Sequence, residues 1–159
     1  MAKIELPYHK KIIEAEIDDN NLLGILESKA SEYKAELSQL EIVEKALDNP
    51  INSPKLEQLA ENKKNIVIIS SDHTRPVPSK IIMPELLRRI RSTNSDANIT
   101  ILVATGLHRA TTRQELIDKY GEDIVKNEKI VVHDAQNEGN LVKIGILPSG
   151  GELIVNKLA

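Results

Sequence analysis

Four consecutive residues, Asp72-His73-Thr74-Arg75, set a carboxylate, an imidazole, a hydroxyl and a guanidinium side by side. A second polar run, Thr105-Gly106-Leu107-His108-Arg109, adds another imidazole next to a glycine, and His133-Asp134 adds a third. The Arg75 guanidinium is a planar fork suited to a carboxylate or phosphate, and it keeps its charge at any working pH. The plainer alternative is a surface salt bridge. Asp72 and Thr74 either contact such a ligand or bond the backbone of their own turn. His108 just precedes a helix start, where an imidazole is well placed for general acid/base work near neutral pH, unless it is only a hydrogen-bonded loop histidine. Gly106 lets backbone amides come close to an anion there. For His133 the simpler reading is that Asp134 orients or neutralises it. His9 and His73 read as surface or turn residues.

Regular elements must bring these runs together. Ile66-Val67-Ile68-Ile69 is a continuous apolar run, as in a strand buried on both faces of a parallel sheet. Ile82, Leu86 and Ile90 recur at helical spacing, so a helix follows, with Arg88, Arg89 and Arg91 suited to its C-terminal end. Pro84 is tolerable in it only within the first turn or at a kink. Residues 98–104 read as a second buried strand. Thr112-Arg113-Gln114-Glu115 is a capping box opening another helix, with Leu116, Ile117 and Tyr120 on one face and Gly121 as its stop. Residues 129–132 are a third strand. The order β-α-β-α-β implies right-handed parallel crossovers, and ligands of such sheets sit beyond the carboxyl ends of the strands. All three strands end in the polar runs named above.

Around this centre, residues 3–17 read as a β-hairpin, and residues 141–146 with 152–155 as a closing one. Ser38-Gln39-Leu40-Glu41 is a capping box for a helix that runs to Asn49-Pro50. Ser53-Pro54 reads as an N-cap followed by proline at the first helical position, with a short helix through Leu59. Residues 21–37 carry no clear signal. The expected fold class is α/β: a mainly parallel sheet with β-α-β crossovers flanked by helices, plus N- and C-terminal β-hairpins.

Composition narrows the function classes. At 159 residues the chain fits one domain, residues 1–159. Aromatics are 2%, with no Phe or Trp, so the core is expected to be Ile/Leu/Val and no stacking platform for nucleic-acid bases exists. A net charge of −3 argues against a polyanion binder. With no cysteine, disulfides and thiolate metal sites are excluded. No stretch approaches the roughly 20 apolar residues of a membrane span, so the expectation is a cytoplasmic protein bound to neither membrane nor nucleic acid. No P-loop or G-x-G-x-x-G is present, and the histidines and aspartates fall at no recognised metal-ligand spacing. The residues alone lead to an anion-binding α/β site with a candidate acid/base histidine.

Ser71-Asp72-His73-Thr74-Arg75-Pro76-Val77-Pro78 and Ala104-Thr105-Gly106-Leu107-His108-Arg109 closely resemble the N-terminal region of the lactate racemase family. Leu23-Gly24 to Leu26, Asn49-Pro50-Ile51 and His133-Asp134 fit the same pattern, so the likeness covers nearly the whole chain. The resemblance implies interconversion of D- and L-2-hydroxy acids with a nickel-pincer nucleotide cofactor. A histidine takes the hydroxyl proton while hydride leaves the α-carbon for the cofactor's pyridinium ring, and the 2-keto acid is reduced from the other face. By that resemblance His108 is one of two acid/base histidines and Arg75 steers the substrate. Asp72, Thr74, Arg75 and Gly106 would contact cofactor or substrate.

The family's second histidine, cofactor-bound lysine and nickel-ligating histidine lie in later motifs, and this sequence ends at Ala159 without them. No metal ligand is therefore assigned here. The expectation is an excised or truncated N-terminal part, partnered by the rest of the enzyme and inactive alone. Three alternatives stand beside it: a racemase or epimerase of another hydroxy acid, a stand-alone small-anion (carboxylate or phosphate) binding module, and a fragment that dimerises through exposed apolar surface.

Overall fold

Asn98–Ala104 is buried at every position but its two ends, which is what a strand covered on both faces requires. It is the middle strand, β4, of a three-stranded parallel sheet in the computed structural model, which describes residues 1–26 and 28–159. Its neighbours are β3, Asn65–Ser71, and β5, Lys129–Val132. The chain divides into two compact units, residues 1–36 and 37–159.

The first unit holds an antiparallel hairpin of β1, Ala2–Tyr8, and β2, Lys11–Ile17. His9 sits at φ +56° in its two-residue turn, and the N-terminal ammonium contacts Asp19 at 2.6 Å. The segment without a clear sequence signal forms short 3-10 turns at Asp19–Asn21 and Lys29–Glu32, the first capped by the Asp18 side chain. No strand or longer helix forms among the described residues of 21–36.

In the second unit, α1, Gln39–Asp48, opens on the expected capping box: Glu41 accepts from the Ser38 amide at 2.8 Å, and the Ser38 hydroxyl accepts from the Glu41 amide at 3.3 Å. The next helix corrects the sequence reading. It is α2, Leu56–Ala60, with Lys55 rather than Ser53 at its N-cap. Gln58 reaches back to the Lys55 amide at 3.1 Å, whereas the Ser53 hydroxyl is turned to the Pro54 carbonyl, so the start moves past the proline.

The crossover from β3 to β4 is α3, Ser79–Thr93. Pro84 lies beyond its first turn, contrary to expectation, but on the solvent side next to buried Met83 and Glu85. The bond it cannot donate belongs to the carbonyl of Lys80, an exposed residue. The second crossover contains α4, Arg113–Tyr120, on its Thr112–Glu115 capping box, and then α5, Glu122–Asn127, which the sequence reading did not include. Gly121, at φ +93°, ends one helix and starts the other. Strands β6, Leu141–Ile146, and β7, Glu152–Asn156, form the closing hairpin, with an irregularity between Lys143 and Gly145.

The core is packed from Met83, Leu87 and Ile90 of α3, Ile99, Ile101 and Val103 of β4, and Leu116 and Tyr120 of α4. Tyr120 is 2% exposed, so one aromatic does join the aliphatic core, its hydroxyl donating to Ser70 Oγ at 2.9 Å. Arg89 is not a helix-end cation at the surface. It is buried, donating to Glu85 at 2.7 Å, to Asp48 of α1 at 2.6 Å, to Glu57 of α2 at 3.2 Å and to the Glu44 carbonyl at 3.3 Å. Bonds from Arg88, with help from Arg89 and against the cost of burial, hold the Glu85 carboxyl down at about 2.

One guanidinium thus ties three helices together. Replacing it by Arg89→Met leaves Asp48, Glu57 and Glu85 facing one another without their shared cation. The expected loss is about 3 kcal/mol of unfolding free energy, read from urea denaturation followed by circular dichroism. An unchanged midpoint would contradict it.

Candidate functional site

The parallel register aligns Ser71 with Ala104 and Val103 with Val132, so the three strands end at one level. Asp72, Thr105 and His133 are the residues just beyond. The ends are cross-linked: the His133 amide donates to the Val103 carbonyl at 2.9 Å, and the Thr105 hydroxyl to the His133 carbonyl at 2.7 Å.

At the end of β3 the chain turns at once. Asp72 Oδ1 accepts from the Thr74 amide at 3.1 Å and from the Thr74 hydroxyl at 2.6 Å. This is an Asx turn, so the capping role considered for Asp72 is real. Its other oxygen, Oδ2, lies 2.6 Å from His108 Nδ1. Asp72 is only 2% exposed, yet the Thr74 hydroxyl bond first, then the His108 bond, outweigh burial and hold its carboxyl at about 2. It is therefore an ionised acceptor at neutral pH, and the neutral imidazole facing it carries its proton on Nδ1.

His108 reaches Asp72 through a tight turn closed by its own amide on the Thr105 carbonyl at 3.0 Å. Gly106 takes φ +58° in that turn, a conformation that a side chain would disfavour. The ring is half exposed and lines an open cleft of about 290 Å³ with Gly106, Leu107, His133 and Asp134.

Arg75 lines a different cavity, of about 400 Å³, with His73, Ser79, Lys80 and Lys119. Arg88, Arg89, Arg91 and Arg109 are each paired with a carboxylate. The Arg75 guanidinium, among the described residues, makes no hydrogen bond or ion pair, so the salt-bridge alternative does not apply. Its carbonyl accepts from Lys119 Nζ at 3.3 Å, and burial pushes the Lys119 ammonium down. Asp72 and His108 are thus in direct contact, Thr74 joins them through Asp72, and Gly106 shapes the turn. Arg75 faces the neighbouring cavity.

Two histidines differ from the sequence reading. His133 is oriented by Asn156 of β7, whose amide nitrogen is 3.0 Å from Nδ1, while Asp134 caps its own turn on the Gln136 amide at 2.9 Å. His73 lies in a turn, as read, but not at the surface: its side chain is 17% exposed and its Nδ1 lies 3.2 Å from the Thr111 hydroxyl. Its place between Asp72 and Thr74 was the only clue available.

Residues 8–159 match the family profile described as lactate racemase N-terminal domain. The chain belongs to that family. This lactate racemase N-terminal domain is 62% identical over its 159 residues to the lactate racemase of Lactiplantibacillus plantarum and 56% identical to that of Thermoanaerobacterium thermosaccharolyticum. It spans 38% and 37% of the length of those two relatives. The structure of the lactate racemase apoprotein from the second organism superposes with a TM-score of 0.87 at 54% identity, covering 99% of this domain and 36% of that chain. Among the described residues of the domain no group of three or more His, Asp or Glu side chains could hold a metal ion, and no helix is long and apolar enough to cross a membrane.

The depressed Asp72 carboxyl makes stability depend on pH. Its folded value, about 2, lies below the ordinary 3.8, so its contribution is present above 3.8 and is lost as pH falls through about 2. Unfolding free energy measured against pH should drop across that window, on the order of 2 kcal/mol from this group. In Asp72→Asn the drop should be smaller, with lower stability at neutral pH. Equal acid sensitivity in the two proteins would refute the assignment.

Proposed function

We propose that this domain supplies proton-transfer and carboxylate-binding groups to an enzyme that interconverts D- and L-lactate or a close 2-hydroxy acid. The observation that carries the reading is the 2.6 Å contact between His108 Nδ1 and the buried Asp72 carboxylate at the aligned strand ends. The names of the relatives supply lactate as the substrate of first choice.

His108 acts through Nε2. With the proton of the neutral ring held on Nδ1 by Asp72, Nε2 presents a lone pair toward the open cleft and accepts the proton of the substrate's 2-hydroxyl. Asp72 stays ionised throughout and stabilises the imidazolium, which lowers the cost of proton transfer. Return of a proton to the keto oxygen together with return of the hydride to the α-carbon regenerates the 2-hydroxy acid, and return to the opposite face gives the other enantiomer. Arg75, unpaired and charged, takes the substrate carboxylate in a forked pair. Asp72 and Thr74 contribute through His108, because both Asp72 oxygens and the Thr74 hydroxyl are already engaged with one another and with the imidazole.

When bound, the nickel-pincer nucleotide would supply the ring that takes the hydride from the α-carbon and gives it back. The domain's donor set fits one end of such a group. The cavity of Arg75, Lys80 and Lys119 suits an anionic moiety, whereas among the described residues no ligand set for nickel is assembled, so no metal-bound step is assigned to them. The remaining groups of the reaction, and the covalent hold on the cofactor, belong to the rest of the enzyme, which is the domain's partner in this reading. A cytoplasmic location is part of the same proposal.

The test is racemisation of L-lactate, by chiral chromatography, in a full-length protein containing this domain and loaded with cofactor. His108→Ala should lower kcat by about 10²–10⁴-fold. Arg75→Ala should act chiefly on KM, raising it by about tenfold or more. Retention of full activity by His108→Ala would overturn the assignment. Tight calorimetric binding of hydroxy acids without turnover would favour a binding module instead.

A further inference from the structure

The residues that follow the pair, His73 after Asp72 and Arg109 after His108, converge on one side chain, Glu115. Arg109 donates to both its oxygens, at 2.9 and 2.6 Å. His73 Nε2 lies 3.6 Å from Oε1, while its Nδ1 lies 3.2 Å from the hydroxyl of Thr111, a residue 6% exposed. Glu115 also accepts from the Thr112 amide at 2.8 Å and the Thr112 hydroxyl at 3.0 Å, which fixes it to the start of α4. Bonds from Arg109 first, then from Thr112, hold its carboxyl well below the usual carboxylate range.

This arrangement answers a mechanical need. Asp72 and His108 sit on separate loops, after β3 and after β4, and the imidazole is half exposed. A single 2.6 Å bond to an exposed ring does not by itself keep the ring in one orientation against competing water. Arg109 is bonded to both oxygens of one carboxylate on a capped helix, and His73 lies 3.6 Å from the same group, so the two loops beside the pair share one point of restraint.

We infer that Glu115 is a positioning residue: through Arg109 and His73 it clamps the two loops so that Asp72 holds His108 with its proton on Nδ1. The inference rests on the Asp72–His108 reading above. It makes Glu115 more than a helix cap. Capping needs only a side-chain acceptor at this position, which glutamine also provides. Clamping needs the anion and both its oxygens.

That difference defines the experiment. The readout is the tautomer of His108 in the full 159-residue chain at mildly alkaline pH, from ring-nitrogen chemical shifts in 15N-labelled protein. In the parent the Nδ1–H form should dominate. Glu115→Gln preserves the cap, so the amide fingerprint of α4 should persist while the Nδ1–H form ceases to be the major species. An unchanged tautomer in Glu115→Gln reduces Glu115 to a cap and overturns the inference. If that variant does not fold, Arg109→Met, which removes one arm at an exposed position, is read by the same criterion. Asp72→Asn separates the two levels. If it leaves the His108 tautomer as in the parent, the pair reading itself fails. If it shifts the tautomer and Glu115→Gln does not, only the clamp fails.

Discussion

The site depends on the in-register pairing of three parallel strands. A strand advances about 3.3 Å per residue, so a one-residue slip of β3 against β4 would carry Asp72 out of reach of His108 and turn its side chain to the other face. Burial alone specifies this register weakly, because β4 is apolar on both faces. Bonds at the two ends of the sheet supply the rest. The Asn98 amide donates to the Lys64 carbonyl at 2.9 Å where the strands start, and His133 and Thr105 lock β4 to β5 where they finish.

Two buried carboxylates show how one kind of physics serves two ends. Glu85 and Asp72 are both nearly inaccessible, and both are kept ionised by strong donors. The partners of Glu85 are arginines, which never give up their charge, so that cluster is a fixed joint between helices. Asp72 is bonded instead to a threonine and a histidine. The threonine cannot titrate and the histidine can, so the negative charge stays in place while the charge beside it changes.

Much of this architecture was legible in advance. Ile66–Ile69 and residues 98–104 announce themselves as buried strands, and two capping boxes mark helix starts that the structure reproduces. Asp72, Arg75 and His108 stood out because polar residues after greasy strands have few other reasons to be there. What escaped was whatever depends on a partner distant in sequence. Arg89 looked like its neighbours Arg88 and Arg91, since nothing local says which one faces α1 and α2. Asp134 beside His133 suggested a pair, but a residue one step along an extended chain points away, and Asn156, 23 positions on, makes the contact. Glu115 was visible only as a cap. Helix α5 went unread because six residues following a glycine stop carry too little periodicity to register.

Strand β4 is the one member of the parallel sheet with a neighbour on each side, and five consecutive residues of it are buried. Its amide protons are shielded twice over, by hydrogen bonds on both edges and by side chains on both faces. Local fluctuations that fray the hairpins or the short helices leave such a strand intact, and its exchange with solvent waits for the whole unit to open. The turn that carries His108 grows directly from this slowest-opening segment. The turn therefore has a firm base, and what motion the site keeps is that of its loops rather than of the strand beneath them.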